Sequence, residues 1–161
     1  MINSSSSAKF SAIIPAPFGA IGIVCQDDFL LSCELLSDAL AEKPATDVFT
    51  QSIVNQIIAY LANAQTPLLS PYAVQGTAFQ KRVWQAISRI PCGQVLNYTQ
   101  LADKVVSGPR AVANACGANH VTLFIPCHRI IAKNGLGGFM QGNANGLSIK
   151  QWLLKHEGVM L

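Results

Sequence analysis

The sequence has no CxxC pair and only three histidines, His120, His128 and His156. Its five cysteines, Cys25, Cys33, Cys92, Cys116 and Cys127, share no repeated spacing. Without paired thiols or clustered imidazoles a structural zinc site is not expected, so the metal expectation is none. An odd count without a framework also argues against disulfides and fits a reducing, cytoplasmic compartment. No long apolar run is intact. The most apolar early stretch, Ala12 to Cys25, is interrupted by Pro15, Pro17, Gly19 and Gly22 and is too short to cross a bilayer, so no membrane association is expected. Met1 to Ser7 reads as a polar, serine-rich lead that frays, not as a signal. There are no internal repeats.

Acidic residues are scarce in one half only. Residues 77–161 hold nine lysines and arginines against Asp103 and Glu157, a net of +7, while residues 1–76 hold two against six, a net of −4. A basic half beside an acidic one points to a polyanion for the second half, or to a solvated basic face. Half of the residues are apolar and 12% are charged, enough apolar surface for a substantial core.

Apolar patterning divides the chain in two. Phe10–Ile14, Ala20–Cys25 and Phe29–Leu36 read as strands, with a connection over Pro15–Gly19 and a turn at Asp27-Asp28. A helix follows from Asp47, a good N-cap, to Ala62, with Phe49, Ile53, Ile57, Tyr60 and Leu61 on one face. Pro67–Gly76 reads as a linker, giving an α/β domain over 1–70 and a second, mainly helical domain over 71–161. In the second, Thr77 caps a helix to about Ile90 whose stripe is Phe79, Val83, Ala86, Ile87 and Ile90. Val95–Tyr98 is a short extended piece. Two short helices, Thr99–Val106 and Arg110–Cys116, form a helix-turn-helix pattern. The small side chains of Ala111, Ala113 and Ala115 permit close backbone approach to a partner, or simply make a good helix. Ile130-Ile131 reads as a strand, Lys133–Leu147 as a glycine-rich loop, and Ser148 as the cap of a last helix ending at His156.

One pentapeptide carries chemistry: Ile125-Pro126-Cys127-His128-Arg129. An imidazole and a guanidinium beside a thiol lower its pKa from about 8.5 toward neutrality and make it a nucleophile. The alternative for any single cysteine is a buried structural thiol, the reading given to the other four.

Around it, Gly76-Thr77-Ala78-Phe79-Gln80, Val83-Trp84, Ile90-Pro91-Cys92-Gly93-Gln94-Val95, Tyr98, Leu101-Ala102, Arg110-Ala111-Val112, Gly117-Ala118-Asn119, the Pro-Cys-His-Arg segment with Ile130-Ile131, and Lys150–Gly158 together resemble the O6-alkylguanine-DNA alkyltransferases, in particular their bacterial constitutive branch. The resemblance covers residues 76–158; before that only Pro17-Phe18-Gly19 matches, at a first-hairpin turn. It implies an RNase-H-like N-terminal α/β domain and a mainly α C-terminal domain with a winged-helix-like helix-turn-helix. The implied activity is direct-reversal repair. One alkyl group moves irreversibly from guanine O6, or thymine O4, in double-stranded DNA to a cysteine, once per molecule, with no cofactor. A monomer acting through the minor groove is implied.

By resemblance Cys127 is the acceptor, His128 its base through one water, and Glu157 the group that orients the imidazole. The water is needed because an extended backbone points Cys127 and His128 apart. Tyr98 protonates the departing base and crowds the target phosphate. Asn119 and Arg129 support the site turn. Arg110 fills the space of the extruded base, and Ala111, Thr99 and Ala115 line the DNA-binding face. The base pocket takes the Ile130 and Cys127 carbonyls, Phe139 and Met140. Trp84 and Trp152 read as core.

The chain departs from the family pattern in three places. Phe139 and Met140 stand where a tyrosine and a small residue are usual, Gln141–Gly146 is longer, and Val106–Pro109 is about two residues shorter. Competing readings are a lesion-marking protein without transfer, against which Cys127 itself argues, a helix-turn-helix regulator, and a cysteine hydrolase.

Overall fold

The computed structural model describes residues 8–138 and 145–160. The chain forms two units, one ending at Val74 and the other beginning at Gln75. Among the described residues no helix is long and apolar enough to cross a membrane.

The first unit is an antiparallel sheet of β1 (Ala12–Ala16), β2 (Gly19–Gln26) and β3 (Phe29–Leu36), in that order, with helix α1 (Val48–Ala62) packed on β1. β1 runs further than the sequence suggests, through Pro15. Ile13 N–H points away from β2 and donates to the Lys43 carbonyl at 3.0 Å. The missing N–H of Pro15, two residues on, faces the same way, so proline removes no bond of the β1–β2 ladder. The turn thus shrinks to Pro17 and Phe18. Gly19 follows at φ +144, where a Cβ would overlap the Leu36 carbonyl oxygen. Asp27 and Asp28 both take positive φ, 53 and 61, as a two-residue hairpin loop requires. Asp47 caps α1 by accepting from Thr50 N–H at 2.8 Å, and Ile53, Ile57 and Tyr60 form the buried stripe. Part of the expected linker pairs with this sheet. Leu30 N–H donates to Pro71 O at 3.0 Å and Ala73 N–H to Leu30 O at 3.1 Å, which joins residues 71–74 to the first unit.

The second unit opens with α2 (Ala78–Ser88). Thr77 and Gln80 form a reciprocal capping box at its start. Val83, Trp84 and Ile87 are buried, each worth about 1.5–3 kcal/mol. Strand β4 (Leu96–Asn97) leads directly into α3 (Tyr98–Val105), capped by an Asn97–Gln100 box. Helix α4 (Pro109–Gly117) starts on a proline at its first turn, where the lost N–H has no helical partner anyway. A tight turn over 121–125 and a 3-10 turn over Cys127–Arg129 precede β5 (Ile130–Ile131), which pairs in parallel with β4. Helix α5 (Gly146–His156) begins two residues before Ser148, the expected cap. Asn145, at φ 69, is the N-cap, and its carbonyl accepts from Ile149 at 3.1 Å. Trp84 ties α2 to α4 by donating Nε1–H to Ala115 O at 2.8 Å.

Between α3 and α4 the chain turns on Val106, which is 90% exposed at φ 54. A β-branched residue in the left-handed region costs about 1–2 kcal/mol, and its exposed side chain recovers little by packing. Val106→Gly is expected to stabilise the unit by about 0.5–1 kcal/mol after the larger chain entropy of glycine is subtracted. The check is a higher urea midpoint at unchanged m.

Candidate functional site

The pentapeptide is not extended. Cys127–Arg129 forms a 3-10 turn, closed by Ile130 N–H donating to the Cys127 carbonyl. At three residues per turn, successive side chains diverge by about 120°, so Cys127 and His128 still point apart, for a different reason than expected. The turn is carried on a compact support. Ile125 N–H donates to Val121 O at 2.9 Å, and Leu123 sits buried at φ 72. Asn119 holds this support from beneath. Its Oδ1 accepts from Val121 N–H at 2.9 Å and its Nδ2 donates to Ile125 O at 2.9 Å. Nδ2 also donates to Cys127 Sγ at 3.3 Å, a contact with the thiol itself that the sequence reading did not foresee.

Glu157, from just beyond α5, reaches the turn across 29 positions of sequence. His128 Nε2 lies 2.9 Å from its Oε2, and both side chains are buried. A carboxylate there fixes the proton on Nε2 and leaves Nδ1 with its lone pair. Nδ1 is buried with no hydrogen-bond partner among the described residues. Burial holds the imidazole pKa below its usual 6.5 against the opposing pull of Glu157, so the ring is neutral near pH 7 and able to take a proton.

Arg129 does not face the sulfur. Its Nε donates to Glu157 Oε1 at 2.8 Å and its Nη2 to Oε2 at 2.9 Å, a two-pronged grip, while Nη1 donates to Ile90 O at 2.7 Å. The expectation that His128 and Arg129 depress the thiol pKa is therefore corrected. Burial raises the Cys127 pKa; what opposes this is the Asn119 hydrogen bond and then Lys150.

Lys150 is the residue that sequence reasoning missed. It is 0% exposed on α5, donating Nζ–H to Ile130 O at 2.6 Å and to Gly138 O at 3.0 Å. Burial lowers its pKa from 10.5 to about 8, partly offset by Cys127 and Cys116. The signal was available. Lys150 shares the helix face of the apolar Ile149, Leu153 and Leu154, a register at which a lysine must find partners. Cys116 lies in the same electrostatic neighbourhood, its thiol pushed up to about 12 chiefly by burial and then by Cys127.

Tyr98 is half-buried at the first position of α3, with its pKa raised chiefly by burial, so it keeps its proton at neutral pH. It feels Cys116 and Cys127, which places it with the acceptor. Thr99 follows, partly buried. Arg110 and Ala111 are exposed at the start of α4. Ala115 does not share their face. It is 2% exposed and packs inward, with its carbonyl bound to Trp84, so it is corrected from a surface residue to a core one. The Ile130 side chain is buried as well, and its carbonyl is engaged by Lys150, as the Cys127 carbonyl is by Ile130 N–H; each keeps a second lone pair. Phe139, Met140 and the first part of the Gln141–Gly146 loop lie outside the described residues. Among the described residues no group of three or more His, Cys, Asp or Glu could hold a metal ion.

The arrangement sets a buried thiol near a neutral imidazole held by Glu157, with a phenol that keeps its proton at neutral pH. The model of a family described as 6-O-methylguanine DNA methyltransferase, DNA binding domain, matches residues 78–159. The bifunctional transcriptional activator/DNA repair enzyme Ada of Escherichia coli (strain K12) is 42% identical over 135 residues, 81% of this chain and 37% of that protein. The chain thus spans little more than a third of that relative, and about half of the Shigella flexneri methylated-DNA–protein-cysteine methyltransferase (53%). The methylated-DNA–protein-cysteine methyltransferase of Saccharolobus islandicus (strain M.16.27) is 31% identical over 146 residues, 91% of this chain and 93% of its own. The crystal structure of Mycobacterium tuberculosis OGT in complex with DNA superposes with a TM-score of 0.75 at 30% identity, covering 91% of each chain.

Proposed function

Since the chain belongs to the 6-O-methylguanine DNA methyltransferase family, we propose that it repairs DNA by moving one alkyl group from guanine O6, and from thymine O4, onto its own Cys127. The observation that carries this reading is the buried acceptor turn. A thiol braced by Asn119 stands beside an imidazole whose far nitrogen is fixed by Glu157.

The steps balance without a cofactor. His128 Nδ1 takes the thiol proton through one bridging water, because the 3-10 turn points the two side chains apart. The thiolate sulfur forms a bond to the alkyl carbon while the carbon–O6 bond breaks, and its electron pair passes into the purine. Tyr98 gives its proton to the purine N3, then recovers one from solvent as the imidazolium releases its own. The product is a thioether, which water does not cleave, so each molecule acts once.

Such chemistry on a stacked base requires extrusion. Arg110, exposed at the start of α4, enters the duplex in place of the base, with Ala111 and Thr99 against the minor groove. In this reading the first unit, ending at Val74, is RNase-H-like, and the second, from Gln75, is a winged-helix-like DNA-binding alkyltransferase domain. The protein acts as a cytoplasmic monomer, associated with the nucleoid when on DNA.

The test is intact mass after incubation with a duplex carrying one O6-methylguanine. A gain of one methyl group that stops at one per chain supports transfer; tight binding of the lesion with no gain sinks it in favour of a lesion-marking protein. Arg110→Ala separates extrusion from chemistry. It is expected to slow repair of the duplex at least about tenfold while the reaction with free O6-benzylguanine stays within about twofold. Equal losses on both substrates would remove the base-replacing role.

A further inference from the structure

The loop between β5 and α5 contains a glycine whose bare main chain meets Tyr98. Gly137 has φ +75, and a Cβ there would lie 3.0 Å from Tyr98 Cε2, 3.2 Å from its hydroxyl oxygen and 3.0 Å from Ala132 N. The backbone therefore lies against the edge of the ring at its hydroxyl end. The next peptide is anchored: the Gly138 carbonyl accepts from Lys150 Nζ at 3.0 Å. The same Nζ grips Ile130 O at 2.6 Å, immediately after the acceptor turn. One buried cation thus links the Cys127 turn to the peptide that follows Gly137.

We propose that Gly137 is a positioning residue for Tyr98: the absence of its side chain lets the loop seat against the ring and hold the hydroxyl ready to donate to the departing base. This rests on the alkyl-transfer reading above. It assigns Gly137 no contact with the substrate. Its effect passes entirely through Tyr98.

The experiment compares the wild-type chain, Gly137→Ala, Tyr98→Phe and the double variant in two reactions. One is single-turnover methyl transfer from an O6-methylguanine duplex. The other is alkylation of Cys127 by iodoacetamide, whose iodide leaving group needs no proton. Gly137→Ala is expected to slow methyl transfer about tenfold or more, a fraction of what a general acid contributes, and to change iodoacetamide alkylation less than about twofold. In the Tyr98→Phe background the same substitution is expected to cost less than a further twofold or so, because the hydroxyl it displaces is gone. Gly135→Ala, whose Cβ would meet nothing within 4 Å, serves as the loop control and should match wild type in both reactions. Gly137→Asn separates contact from backbone strain, since asparagine tolerates the left-handed region yet still carries a Cβ; it should transfer as slowly as Gly137→Ala while melting higher than Gly137→Ala.

Wild-type transfer by Gly137→Asn, a full loss retained in the Tyr98→Phe background, or an iodoacetamide rate that falls in step with transfer would each overturn the positioning role. A wild-type chain that transfers no methyl group overturns the reaction reading together with it. Transfer by wild type with unchanged rates in both Gly137 variants overturns the positioning role alone.

Discussion

Cys127→Ser is expected to abolish alkyl transfer while leaving the fold and the affinity for lesion-bearing duplex in place. The hydroxyl replaces the thiol at similar volume and can accept the Asn119 Nδ2–H that now reaches Sγ at 3.3 Å. The support of the turn is therefore not disturbed. The chemistry is. A serine hydroxyl has a pKa far above that of a thiol, and a neutral imidazole whose own pKa is held below 6.5 cannot ionise it. The measurement is intact mass against an O6-methylguanine duplex, with a gel-shift titration on the same oligonucleotide. Methyl gain at the wild-type rate in Cys127→Ser would mean that another cysteine is the acceptor. Cys116, the thiol that feels Cys127 most directly, is pushed up to about 12 and is poorly suited to that role.

The second large effect is on stability. Glu157→Gln is expected to cost about 3–5 kcal/mol and to lower the melting temperature by about 10 °C. Glu157 accepts twice from Arg129 and lies 2.9 Å from His128 Nε2, with its side chain fully buried. An amide of the same shape turns an NH2 group toward donors and leaves the mostly buried guanidinium without its counter-charge. Because Arg129 also holds Ile90 O, the loss spreads from the acceptor turn to the end of α2. Transfer should fall as well, since the imidazole loses the partner that fixes its tautomer. Thermal unfolding monitored by circular dichroism checks the first claim. A shift under about 3 °C would show that the network is worth no more than an exposed ion pair.

The two effects separate what the site needs. The sulfur is required for chemistry and little else; the carboxylate is required for the site to exist. Lys150 stands between these roles. It is the principal cation acting on the buried thiol, and it also ties the Ile130 carbonyl to the Gly138 carbonyl.

Much of this was readable in the residues. Thr77 with Gln80 and Asp47 with Thr50 specify helix starts locally, because a cap needs only three or four neighbouring residues. The stripe Ile53, Ile57 and Tyr60 follows from the helical period. The adjacency of Cys127, His128 and Arg129, and the family likeness of residues 76–158, pointed to the acceptor before any coordinates. Three things were decided only in three dimensions. The direction of the Arg129 side chain depended on where Glu157 and Ile90 arrived, 28 and 39 positions away. The burial of Ala115 depended on Trp84, 31 positions back. The ionisation of the thiol was set by desolvation, which sums over every segment packed around it; neighbours in sequence suggested a lowered pKa, and burial raised it. Sequence determined which groups are present and which local geometries they prefer. The tertiary structure decided which partner each charged or polar group finds once water is removed, because that choice is made among residues brought together from the whole unit.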